Sequence, residues 1–123
     1  MRTTNKHFKT FCKECEKWID IFGLRDWEII YTHEKEVPDA RASCYRDLTG
    51  RIATINLGTD WSNSPNAFND EGMRKVAFHE ACELLIAPLY INACARHVTE
   101  EEIKEASHTI IRILENVLWK NTE

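Results

Sequence analysis

Positions 76–91 of the chain are apolar almost without interruption, yet His79, Glu80 and Glu83 stand inside that run. Upstream, Asn69 or Asp70 can cap a helix, and downstream Pro88 disturbs the end of one. A helix that is apolar around most of its circumference predicts burial on most sides. Ionisable groups in such a helix need partners, because a carboxylate held away from water without one costs on the order of several kcal/mol. Two carboxylates at one place therefore imply a cation, a proton or a cleft. His79 and Glu83 are four residues apart, which puts them on one helix face, and Glu80 projects beside them. That spacing can grip a metal ion with His79 and Glu83 while Glu80 stays next to it. The plain alternative is a helix ion pair between His79 and Glu83.

The rest of the chain supplies the frame for that helix. Phe8, Phe11, Cys12, Cys15, Trp18, Ile19 and Phe22 recur at three- and four-residue steps, the stripe of a helix over 5–22 that Gly23 can close. Trp27, Ile29 and Tyr31 alternate with their neighbours as in a strand. Two further alternating runs, 42–46 and 51–57, face each other across 47–50 as a β-hairpin. Residues 58–69, rich in Gly, Ser, Asn, Asp and Pro, read as a long surface loop of the kind that borders a site. Its Trp61 and Phe68 either line a cleft or anchor the loop. Thr99 and Glu102 form a capping box, and Ile103, Ala106, Ile110, Leu114 and Val117 make the stripe of a last helix reaching about Trp119. The order predicts a single α+β domain: an N-terminal helix, a small three-stranded, mostly antiparallel sheet, the motif helix and a C-terminal helix, with the helices on one sheet face.

A chain of 123 residues is long enough to bury a core. Its 16 Lys and Arg against 20 Asp and Glu give a net charge of −4, which offers no general attraction to nucleic acid or to an anionic membrane. Lys6, Lys9, Lys13 and Lys17 form a row on the first helix, but Glu14, Glu16 and Asp20 interrupt it, so it reads as a solvated face. No apolar run approaches the roughly 18 residues that cross a bilayer, and the polar, basic start lacks a signal peptide's apolar segment. Neither a membrane nor a secreted protein is expected. Five cysteines, an odd number, suit reduced thiols in a cytoplasm better than a disulfide framework. Cys12 and Cys15 form a Cys-x-x-Cys, but both fall on the apolar stripe and read as core thiols. Cys82 reads as a small apolar filler.

The run Val76-Ala77-Phe78-His79-Glu80-Ala81-Cys82-Glu83 resembles the active-site helix of the zincin metallopeptidases, whose motif is His-Glu-x-x-His. The preceding helix, Trp27-Glu28-Ile29-Ile30-Tyr31, Ala42-Ser43-Cys44 and the strand Ile52–Leu57 look like the small sheet before that helix in SprT-like zincins. The strict match is to His79 and Glu80. Glu83 stands where the family has its second histidine, and a carboxylate is itself a zinc ligand at about 2.0 to 2.2 Å.

The resemblance implies Zn2+ held by His79, Glu83 and a ligand from the following helix. His108 restores a set of two His and one Glu there, with Glu102, Glu105 and His97 as alternatives. It implies Glu80 as general base and a peptide or protein as substrate, which can pair with the strand Ile52–Leu57 if that strand is the sheet edge beside the cleft. Two functions stay open. One is a small intracellular zinc-dependent metallopeptidase or related amide hydrolase, of a size that suits a phage or mobile-element product. The other is a zincin-shaped binding or regulatory protein without turnover. Retention of Glu80 favours the first; Glu83 favours the second, because an added anionic ligand weakens the metal's pull on its water.

Overall fold

The computed structural model describes residues 1–38 and 40–119. Helix α1, Asn5–Phe22, begins where the Thr4 side chain accepts a hydrogen bond from the His7 amide, and it ends at Gly23. The glycine adopts φ 68°, the left-handed conformation that a Cβ would strain. The apolar stripe of α1 is the buried one: Phe11, Cys15, Ile19 and Phe22 lie in the core, while Lys6, Lys9, Lys13 and Lys17 are exposed.

Strands β1 (Glu28–His33), β2 (Ala42–Asp47) and β3 (Ile52–Leu57) follow. β2 and β3 form the expected hairpin, but the sheet order is β1-β3-β2, with β1 parallel to β3. The sheet is thus mixed, with one parallel and one antiparallel pair, and β3 is its central strand. Alternation sorts the two faces as it should. Ala53, Ile55 and Leu57 of β3 are buried under the helices, and Ile29, Tyr31, Ala42 and Cys44 pack against that core from either side. Ile30, Tyr45 and Ile52 on the opposite face are exposed.

The loop after β3 is pinned from the N-terminus. The Thr3 amide donates to the Thr59 carbonyl and the Trp61 amide to the Met1 carbonyl, each at 2.9 Å, around a bridge between Arg2 and Asp60. Trp61 resolves the two readings of the loop by doing both things: it is buried at 1% exposure as an anchor, and its rim borders a cleft.

Helix α2, Asp70–Leu85, is capped by Asn69, whose Oδ1 accepts from the Gly72 amide at 2.7 Å. Asp70 and Glu71 add negative charge at the positive end of the helix dipole. Gly72 is required by close approach, since a Cβ there would lie 1.7 Å from the Ala67 carbonyl oxygen. Gly72→Ala is therefore expected to destabilise the protein by about 1–3 kcal/mol, the usual cost of an overpacked site. An unchanged urea midpoint would contradict this.

The motif helix stops at Leu85, two residues before Ala87, where the sequence places its last residue ahead of Pro88. Ile86 ends α2, and Pro88 sits in the first turn of a separate helix α3, Ala87–Cys94, where proline costs no hydrogen bond. Helix α4, Glu100–Leu114, starts at the Thr99–Glu102 capping box and continues into a π-helical turn, Glu115–Trp119. It buries Ala106 and Ile110.

Candidate metal centre

Helix α2 is buried on one side only, through Met73, Val76, Ala77, Glu80, Ala81, Leu84 and Leu85. This departs from burial on most sides. The small sheet and α1 cover a single face, so the other borders open space. His79 is 73% exposed at its side chain and Glu83 35%, whereas Glu80 is 2% exposed. The three side chains share one end of a cleft of about 670 Å³ between α2, the start of β2 and the loop through Trp61.

Ligand atoms of His79, Glu80 and Glu83 all lie within 4.8 Å of one another. His79 Nε2 is 3.8 Å from Glu83 Oε2, too far for a hydrogen bond. Two donors on a tetrahedral zinc, each bonded at about 2.0–2.2 Å, are roughly 3.4 Å apart, so this pair needs only a small side-chain rotation to share an ion. The donor set of one imidazole and carboxylates also suits zinc chemically.

Burial pushes the Glu80 carboxyl up to about 9, helped by its hydrogen bond with Glu83 and by the charges of Glu83 and Glu36, with Arg46 opposing. Without a cation, Glu80 thus keeps a proton at neutral pH. The thiol of Cys44, on the inner face of β2, is likewise raised to about 12 by burial and by Glu80. These thiols are inert neighbours, as are those of Cys12 and Cys15, both raised chiefly by burial.

His108 is not brought to this group. It lies exposed on α4, with Nδ1 2.9 Å from the Lys104 carbonyl oxygen. The physical reason is helical phase: Ala106 and Ile110 face the core, and a residue two positions from each points about 160° away. Glu102 is occupied in the capping box, and Glu105 and His97 are exposed. Among the described residues, the cluster is made by one turn of α2 alone.

The expected peptide edge also moves. β3 is central and both its sides are paired, so the edge strand next to α2 is β2. The Gly58 amide donates to the Arg41 carbonyl at 2.8 Å, which makes Arg41 and Gly58 a hydrogen-bonded antiparallel pair. By alternation, Ser43 and Tyr45 turn their backbone groups to β3, while Ala42, Cys44 and Arg46 turn theirs to the open edge.

Arg46 is the functional neighbour that sequence reasoning missed. Its Nη1 donates to the Glu83 carbonyl at 2.7 Å, and its guanidinium lies 4.9 Å from the Tyr90 ring centroid. It braces β2 against the C-terminal half of α2, where a cation is favoured by the helix dipole. The visible signal was an arginine at an inward position of the alternation Ala42, Cys44, Arg46. Comparison of the chain with family models, curated proteins and solved structures finds no match.

Proposed function

We propose that this chain is a zinc-dependent peptidase or related amide hydrolase, with the ion held by His79 and Glu83 and with Glu80 as proton acceptor. The observation that carries the reading is the meeting of an imidazole and two carboxylates, one of them buried, at the end of a cleft beside an open strand edge. When bound, zinc supplies a Lewis acid that polarises the scissile carbonyl and acidifies a water molecule. The chain's own residues supply the rest. The outward N–H and C=O groups of Ala42 and Cys44 can take an extended peptide as an added strand, which fixes the scissile bond against α2. A cation beside Glu80 opposes the raised affinity of its carboxyl for a proton, so that the ionised group can accept one from water and deliver it to the leaving amine. Arg46 holds β2 and the Glu83 turn in fixed relation.

A cytoplasmic setting belongs to the same proposal, supported by five free cysteines. Among the described residues, no helix is long and apolar enough to cross a membrane.

One observation favours a second reading. The Glu80–Glu83 pair can share a proton, and no further ligand from α4 converges on it, as suits a zincin-shaped binding protein without turnover. The experiment that separates the two is incubation of the zinc-loaded protein with an unbiased peptide library. The enzyme reading predicts cleavage that disappears on chelation and returns with zinc. No cleavage leaves the binding reading, and cleavage indifferent to chelator contradicts both.

A further inference from the structure

Glu83 lies in the last turn of α2, and the chain leaves that helix at Ile86 (φ −88°, ψ 0°) before α3 begins at Ala87. The last four carbonyls of an α-helix have no partner within it and must find donors elsewhere. The Cys82 carbonyl takes the Ile86 amide at 3.0 Å, whereas the Glu83 carbonyl takes Arg46 Nη1 at 2.7 Å. A guanidinium at this place both caps the orphaned carbonyl and stands at the negative end of the helix dipole.

Arg46 reaches that carbonyl from β2, where its partner across the ladder is the small, buried Ala53 of β3. The guanidinium also lies 4.9 Å from the ring centroid of Tyr90, in the first turn of α3. The Tyr90 amide in turn donates to the Ile86 carbonyl at 2.9 Å, at the break itself. One side chain thus joins β2, the end of α2 and α3.

The His79–Glu83 pair can share an ion only while the turn between the two residues is formed. His79 belongs to the body of α2, but Glu83 belongs to its last turn, and helix ends open first. A site whose competent form is partly populated binds with an affinity reduced by that fraction. We infer that Arg46, held by Tyr90, is a positioning residue for Glu83, and that docking of α3 is thereby coupled to the metal affinity of the His79–Glu83 pair. This rests on the reading of the pair as a metal site. The coupling is reciprocal, so a bound ion must also tighten the joint at Ile86. Because α4 packs on α3, the helical pair outside the cleft helps to set how well the site holds its ion.

The test measures zinc affinity of the full chain by competition with a chromophoric chelator, beside urea midpoints of the metal-free proteins. Arg46→Met is expected to weaken zinc binding by at least about fivefold, and Arg46→Lys, which keeps a charged donor for the carbonyl, should recover part of that loss. Tyr90→Leu, at a half-exposed position, should weaken binding by at least about twofold, and Tyr90→Phe, which keeps the ring face, should restore it. In the Arg46→Met background Tyr90→Leu should add no further loss, since the ring acts through the guanidinium. Zinc should also slow amide exchange at Ile86 and Tyr90 by at least about fivefold in the wild type and not in Arg46→Met. A lower urea midpoint with unchanged zinc affinity would make Arg46 a structural residue only and overturn the inference. Additive losses from Arg46→Met and Tyr90→Leu, or exchange at the joint indifferent to zinc, overturn it equally. Where Arg46→Met fails to fold, the two Tyr90 variants and the wild-type exchange decide by the same criteria. A wild type that takes up no zinc removes the metallopeptidase reading and the inference with it, whereas zinc bound equally by all variants overturns the inference alone.

Discussion

Glu80→Gln is expected to abolish hydrolysis, by about 10²–10⁴-fold, while the protein keeps its fold and its zinc. The amide fills the same buried space and can still hydrogen-bond Glu83, but it cannot accept a proton from water. The same substitution has an opposite effect on the stability of the metal-free protein. In the unfolded chain the Glu80 carboxyl titrates near 4.5, and in the folded chain burial raises it to about 9. Between those values the native state holds a proton that the unfolded state has lost, so stability falls as pH rises. The favourable contribution is complete below about 4.5 and is lost as pH climbs through about 9. Chelated wild type should therefore lose on the order of several kcal/mol between pH 5 and pH 9, whereas Glu80→Gln lacks that slope and should be the more stable protein at pH 9. Urea midpoints at the two pH values check this. Parallel behaviour of the two proteins would mean that Glu80 is not the buried acid described above.

His79→Ala is the second substitution with a large expected effect. Zinc would keep Glu83 as its one remaining proposed ligand and lose its only nitrogen donor, and the exposed position of His79 means that the fold loses little. Affinity should fall by at least a hundredfold, with a urea midpoint close to that of the wild type. Loss of zinc accompanied by unfolding would instead mark His79 as a structural residue.

Local features of the sequence predicted local features of the fold well. The bounds of α1, the closing Gly23, the hairpin around residues 47–50, the Asn69 cap and the Thr99–Glu102 box all depend on residues within a turn of one another. Long-range choices left no such mark. Alternation reports which face of a strand is buried, not which strand lies beside it, so the insertion of β3 between β1 and β2 could not be read from positions 28–57. The same limit moved the open edge from β3 to β2.

At the site, His79, Glu80 and Glu83 were legible because four-residue spacing on one helix fixes their proximity. His108 is attractive by ligand type alone, but the phase of α4, set by Ala106 and Ile110, turns it outward. The break at Ile86 has a visible cause in Pro88, which in sequence marks the end of α2 and in the structure opens α3. Arg46 gains its significance only from the packing of β2 against α2, which brings it to the Glu83 carbonyl.

Metal binding by one turn of α2 is the central claim. Calorimetric zinc titration of the metal-free, untagged protein at pH 7.5, in parallel with His79→Ala and His108→Ala, addresses that directly. One zinc per chain is predicted for the wild type, with the same affinity to within twofold in His108→Ala and at least a hundredfold loss in His79→Ala. Absence of saturable binding in the wild type, or loss of binding in His108→Ala with retention in His79→Ala, would contradict it.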